Sequence, residues 1–342
     1  MELYWPATLY PSASEVTVKD GSGRFVSPFT GTTRTVSRPG ATRLQLSMSF
    51  TGLQGAKRGA LKSLVAGLGG AEGRVWIRDF SYTQRGSFPT GELLGNVAFD
   101  ATTGWTASNA EVSLYANGGK FRITRTAATA HSFVYYTQIT GLTSGAAYAA
   151  RALMETGKGS EAWALRVGAT ATGNEYIGTS IQNSPGLVYR GATIAATSAY
   201  FCLLDYYQDS TASPIVTRAA GNFQTFTGVS FSRCFLINGA SQTGTGLVVD
   251  KLPTSTNGLL LPGDQVQIGD QLNFVTEPLN SDSSGNGYLR LALPVRESPA
   301  DNDPVIVYQP AGKFLLAEQE NSWQNALADY AAAELRFVEA VD

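Results

Sequence analysis

Arg43-Leu-Gln-Leu-Ser-Met-Ser-Phe50 alternates apolar and polar residues without a break. Side chains on a strand point to opposite faces with a period of two. Leu44, Leu46, Met48 and Phe50 therefore share one face, and Arg43, Gln45, Ser47 and Ser49 share the other. One buried face and one wetted face is the pattern of an antiparallel strand. The period then changes. Leu53, Lys57, Leu61, Leu64, Val65 and Leu68 recur at helical spacing, which predicts a helix over 54–68 with Gly69-Gly70 as its stop. Arg74-Val-Trp-Ile-Arg-Asp-Phe80 returns to strand, with Trp76 on the face opposite Val75 and Ile77. The first region reads strand, short helix, strand.

Outward from there, almost every segment reads as strand. Lys120–Arg125, Ser132–Tyr136, Ala147–Arg151 and Ala162–Val167 are short alternating runs separated by Gly and Ser clusters. Such spacing predicts a two-sheet sandwich or jelly roll over 92–236. That stretch is distinct in composition: its 145 residues hold only 17 charged residues but 19 aromatic ones. After 240, strands continue at Gly246–Asp250, Val266–Ile268, Gln271–Val275, Tyr288–Leu293 and Pro304–Tyr308. Pro262-Gly263-Asp264 is a tight turn, because Pro presets φ and Gly accepts positive φ. Ser281–Gly287 reads as a hairpin loop. The tail, 321–342, allows either an Ala-rich helix or a last strand.

Composition excludes several functions. The 342 residues carry a net charge of −2, with no Lys/Arg-rich run, so no nucleic-acid surface is expected. The single histidine, His131, reads as a surface residue. With Cys202 and Cys234 it would have to supply any His/Cys zinc site, at spacings that match no such site. No metal and no cofactor are expected. There is no G-x-S-x-G elbow and no phosphate loop, and Gly67-Leu-Gly-Gly-Ala-Glu72 ends in Glu where a dinucleotide fingerprint needs Gly. No run reaches the ~18 apolar residues of a membrane span, and the opening Met1–Pro11 has no secretory pattern. A soluble protein folding in a reducing cytosol is expected, its two cysteines buried and unpaired.

Two groups of residues resemble a known family. One is Ser37-Arg-Pro-Gly40 with Leu44–Phe50, the helix and Trp76-Ile-Arg78. The other is Leu259-Leu-Leu-Pro-Gly-Asp-Gln-Val-Gln-Ile-Gly269 with Gly285–Leu293 and Gly312–Leu316. Over 1–91 and about 240–342, the chain resembles the distal tail proteins of long, non-contractile-tailed bacteriophages. The resemblance implies a mostly β fold: a discontinuous tail-hub β-sandwich or barrel with one short helix (1–91 and 237–342), interrupted by an inserted jelly roll (92–236). It also implies a last strand in the tail. It further implies a ring at the tail tip, six-membered or alternatively three-membered, with the tail tube protein and tip or hub proteins as partners. The location implied is the virion, after synthesis in the host cytoplasm. Arg34, Arg38 and Arg43 are candidates for subunit or tube contacts.

Members of that family often carry an insert similar to a carbohydrate-binding module, and Asn96–Asp100 with Thr103-Gly-Trp105 resembles the opening of such modules. Sugar recognition pairs an aromatic face with hydrogen-bonding neighbours, because a pyranose shows an apolar face and a polar rim. The candidates for contact with a host-surface polysaccharide are Tyr206, Tyr207, Trp163, Tyr135 and Trp105, with Tyr136 beside Tyr135. Tyr206 and Tyr207 stand beside Asp205 and Asp209. Trp105 and Trp163 also read as core, and Tyr135 and Tyr136 must face opposite sides of their strand. No catalytic residue is assigned, and the chain reads as a non-enzyme. A tail-associated polysaccharide-degrading enzyme and a free-standing carbohydrate-binding protein are the competing readings.

Overall fold

The computed structural model describes residues 2–6, 8–19, 21–36, 42–70, 72–97, 99, 101–107, 112–117, 120–126, 133–158, 162–171, 173–205, 219–318, 323–325 and 331–341. The fold is mostly β, with a single helix among the described residues. Three larger units make it up, beside a small hairpin of Gly23–Val26 paired with Thr33–Val36.

The first is a seven-stranded sheet assembled from both ends of the chain. Its strands run Glu2–Tyr4, Arg74–Arg78, Ala311–Leu316, Ala331–Glu339, Arg43–Leu53 and Ala13–Lys19, with Trp323–Asn325 paired to Ala331–Glu339. The alternation read from 43–50 holds residue by residue: Leu44, Leu46, Met48 and Phe50 are buried, and their neighbours are half-buried. Phe337 and Leu335 lie opposite Leu46 and Met48 in the antiparallel register. The tail is therefore strand where it is described, at 323–325 and 331–339. Helix Gly55–Leu68 lays Leu61, Leu64 and Leu68 onto this core. It ends at Gly69, which takes the left-handed conformation (φ 61°) and returns its N–H to the Ala66 carbonyl. Trp76 faces away from Val75 and Ile77, yet it is buried as well. Its indole N–H donates to Glu2 Oε1 at 2.9 Å, and Lys313 Nζ lies 5.5 Å from its ring.

The second unit is a six-stranded sheet ordered Gln271–Phe274, Gln265–Ile268, Pro304–Ile306, Phe235–Ile237, Gly244–Asp250 and Gly287–Val295. A bridge between Val275 and Leu291 brings its two end strands together, so the sheet is nearly closed into a barrel. Phe235, Ile237, Leu247, Val249, Val266, Leu289 and Val305 fill it. The turn at Leu261–Asp264 closes with the Asp264 N–H on the Leu261 carbonyl, and Gly263 has φ 90°. Ser281 and Gly287 bridge across the predicted hairpin loop.

The third unit is the predicted sandwich. One sheet is ordered Gly186–Ile194, Ala146–Lys158, Phe223–Arg233, Lys120–Arg125, Val112–Asn117. The other is ordered Ile177–Gly178, Trp163–Gly168, Ser198–Asp205, Phe133–Thr140, Thr106–Ala107. Every strand pair in both is antiparallel. Between them lies a core rich in aromatic rings, including Phe99, Trp105, Phe121, Tyr135, Trp163 and Phe201. We call the first the seated sheet, because its outer face rests on the rest of the molecule. Ala147 and Ala149 of that face pack against Leu236 and Ile306 of the barrel. Tyr4 of the terminal strand closes on Gly228, where an added Cβ would come within 2.7 Å of the tyrosine ring.

Candidate functional site

The seated sheet fixes which surface of the sandwich remains for recognition. Two stacked sheets have two outer faces, and the barrel and the terminal strand occupy one of them. The outer face of the opposite sheet points away from both. Its residues follow from strand phase: Val134, Tyr136 and Gln138; Tyr200, Cys202 and Leu204; Ala164 and Arg166.

On this face the Tyr136 and Tyr200 rings meet edge to face, with centroids 5.9 Å apart. Both are half-buried over a small apolar patch of Val134, Ala164, Cys202 and Leu204. Exposed Gln138 stands opposite Tyr200 in the register, and Arg166 stands opposite Cys202. The Arg166 Nε–H has no acceptor among the described residues. Two aromatic edges flanked by an amide and a guanidinium donor suit a ligand that is apolar on one side and rich in hydroxyls on its rim.

The predicted contact residues fall elsewhere. Trp105, Tyr135 and Trp163 lie in the sandwich and face its core, so they are not open to a ligand from outside. Trp163 shares its face with Leu165, and its indole N–H donates to the Ser184 carbonyl at 3.2 Å. Burial and the nearby Asp205 carboxylate push the Tyr135 hydroxyl far above its ordinary pKa. Tyr206, Tyr207 and His131 lie outside the described residues, as does Arg38. Tyr136, a candidate from the sequence, does face outward, and Tyr200 beside it is the residue the sequence reading did not single out. The observed phase separates them: Tyr135, Thr137 and Ile139 are buried on one strand and Phe201 and Leu203 on the other, which leaves Tyr136 and Tyr200 outward.

Charged groups inside the sandwich are engaged. Arg125 and Asp205, both almost wholly buried, form an ion pair with Nη2 2.7 Å from Oδ2. Glu155 pairs with Lys120 at 2.5 Å. Cys202 and Cys234 are free and buried. Burial pushes the Cys202 thiol up to about 12 and the Cys234 thiol still higher, so neither is a thiolate near neutral pH. No group of three His, Cys, Asp or Glu side chains among the described residues could hold a metal ion. No described helix is long and apolar enough to cross a membrane.

No protein-family model matches the chain, and no curated protein matches it in sequence. Several solved structures are similar to part of it. A CBM4 protein is 13% identical with a TM-score of 0.29, over 41% of this chain and 98% of that one. The enzymatically active domain of tailspike protein 4 of bacteriophage CBA120 is 10% identical with a TM-score of 0.29, over 42% and 21%. A CBM29-2 carbohydrate-binding module complexed with cellulohexaose is 12% identical with a TM-score of 0.27, over 42% and 90%. Likenesses this distant assign no function to the chain.

Proposed function

We propose that this chain is a non-enzymatic structural protein of a bacteriophage tail tip, whose sandwich offers its outward face to glycans on the host surface. One observation carries the glycan part of the reading. The sandwich is seated through one sheet, and the sheet on the far side presents Tyr136, Tyr200, Gln138 and Arg166 together. The sequence resemblance supports the tail-tip part, with the scaffold closing into a ring of six copies between the tail tube and the tip proteins. A ring repeats the sugar face around its circumference. Weak single sites then act together, so millimolar affinity per copy is enough to hold a particle on a polysaccharide surface.

The test pairs imaging with binding. Negative-stain images of the purified chain should show closed rings with peripheral knobs; a monodisperse monomer at every concentration would overturn the ring. The full chain should be retained on immobilised host envelope polysaccharide, and Tyr136→Ala/Tyr200→Ala should abolish retention with the fold intact. Retention equal to wild type in the double variant removes this face as the site. Release of reducing sugar from the same polysaccharide would replace the binding role with an enzymatic one.

A further inference from the structure

A second feature lies on the opposite side of the sandwich, where the seated sheet meets the terminal strand and the seven-stranded sheet. A cleft of about 200 Å³ opens there. That is below the roughly 300–1,000 Å³ of sites for drug-sized ligands, and suits a single ring. Aromatic side chains Tyr4, Tyr10 and Phe80 line it, together with Arg78, Arg151 and Glu92.

The two arginines are unusual in their surroundings. Arg151 is only 4% exposed. Its Nε donates to the Gly228 carbonyl at 3.3 Å and its Nη1 to the Gln309 carbonyl at 3.5 Å, while the guanidinium lies over the Tyr4 ring at 5.3 Å. The Gly228 carbonyl is placed by an irregularity in the strand register, where Gly228 takes φ 58°. Arg78 lies over Phe80 at 5.0 Å and Tyr10 at 5.9 Å. Neither arginine has a carboxylate in ion-pair contact among the described residues. A buried cation held by neutral carbonyls and ring faces is costly until an anion reaches it.

The acid in the cleft answers that need only in part, through space and without an ion-pair contact. Glu92 Oε1 accepts the backbone N–H groups of Phe231 at 2.8 Å and Leu94 at 3.2 Å, and the carboxyl also bonds Ser230. Its bonds run to the sandwich, two to backbone N–H groups and one to the Ser230 side chain. Burial raises its pKa, and the through-space pull of Arg151 offsets that only in part. The cleft is therefore aromatic on its walls and carries two guanidiniums against one carboxyl.

We propose that this cleft binds the ring of an acidic sugar, with an apolar ring face against the aromatic wall and the carboxylate between Arg78 and Arg151. Guanidinium and carboxylate match in bidentate geometry, and the charge-assisted bonds are about twice as strong as neutral ones. The site is separate from the Tyr136 and Tyr200 face, and its occupancy does not depend on that face binding anything.

The experiment is a calorimetric or NMR titration of the full chain with glucuronate, glucose and inorganic phosphate. Glucuronate should bind at least about tenfold more tightly than either glucose or phosphate, a difference of about 1.4 kcal/mol. Arg78→Gln, at the half-buried rim, should erase that preference with the native circular dichroism retained. Arg151→Lys keeps the charge but loses the planar fork, and should weaken glucuronate at a retained fold. Tyr136→Ala should change nothing here, which separates a failure of this site from a failure of the outer face. Equal binding of glucose and glucuronate, phosphate binding as tightly as glucuronate, unchanged affinity in Arg78→Gln, or no glucuronate binding would each overturn the proposal.

Discussion

At the scale of single residues, buried polar groups decide more than their number implies. Asp264 is fully buried and ties three backbone donors together: Arg85 N–H at 2.8 Å, Gly86 N–H at 2.9 Å and Leu261 N–H at 2.8 Å. It thereby fastens the 82–86 segment to the barrel turn. Asp264→Ala strands those donors and should cost about 2–4 kcal/mol by urea unfolding, less than the full penalty of about 1–3 kcal/mol for each of three unmet groups because Arg85 is exposed and water reaches part of the segment. A midpoint unchanged from wild type would refute this role. Arg125 and Asp205 make a second case. Arg125→Met alone leaves a buried carboxylate without its partner and should cost about 3–5 kcal/mol, whereas Arg125→Met/Asp205→Leu should recover most of the loss. A double variant no more stable than the single one would show that the pair is not coupled. Glu92 supplies a pH dependence. Its pKa is raised in the folded chain, chiefly by burial. The folded state therefore holds this proton more tightly than the unfolded chain does. Its contribution to stability is fully present below the unfolded pKa and is lost as pH rises through the folded value. Denaturant melts across pH 4 to 8 should show wild type losing stability relative to Glu92→Gln as pH rises. A pH-independent difference would contradict the shift.

At the scale of elements, legibility followed the strength of the periodic signal. The strand at Arg43–Leu53 and the helix Gly55–Leu68 were readable because each buries a single face, and burial of one face imposes its period on the sequence. The sandwich strands were readable as strands, but their phase was not. Tyr135 and Tyr136 are adjacent aromatics, and both faces of that strand carry apolar residues, so alternation alone does not say which tyrosine points inward. The same ambiguity hid the burial of Trp76, whose strand has a neighbour on each side and a covered face on both. The separate closure of 235–306 into a near-barrel depends on pairings between strands far apart in the chain, which local patterns do not encode. The helix stop is the element whose chemistry the sequence states outright. Gly69 sits at φ 61°, a left-handed conformation that strains a residue with a Cβ even though the space around it is open, so Gly69→Ala should cost about 1 kcal/mol in thermal or chemical unfolding. A neutral substitution would mean that the chain leaves the helix by another route.

At the scale of the whole molecule, the question is whether sandwich and scaffold behave as one body. Apart from the terminal strand's contact at Tyr4 and Gly228, the seam against the barrel is narrow and apolar: Ala147, Ala149 and Cys234 against Leu236 and Ile306, with Tyr189 at its margin. The chain also passes directly from Arg233, the end of a sandwich strand, to Phe235, the start of a barrel strand. Small side chains let the two surfaces approach closely, and Gly191 marks a tight point against the barrel. A Cβ there would lie 2.8 Å from Pro304 Cβ and 2.9 Å from Leu236 Cδ2. Both neighbours are buried, so a branched side chain at 191 can be accommodated only by moving the sandwich off the barrel. The sandwich and the barrel each keep their own apolar core, and those cores do not depend on the seam. Gly191→Val should therefore uncouple the units rather than unfold them. Calorimetry of the wild type should give one transition, and the variant should give two, with the far-UV circular dichroism of the native state retained. One transition at an unchanged midpoint would mean that the seam tolerates the added bulk. One transition at a much lower midpoint would mean that the two cores stand or fall together.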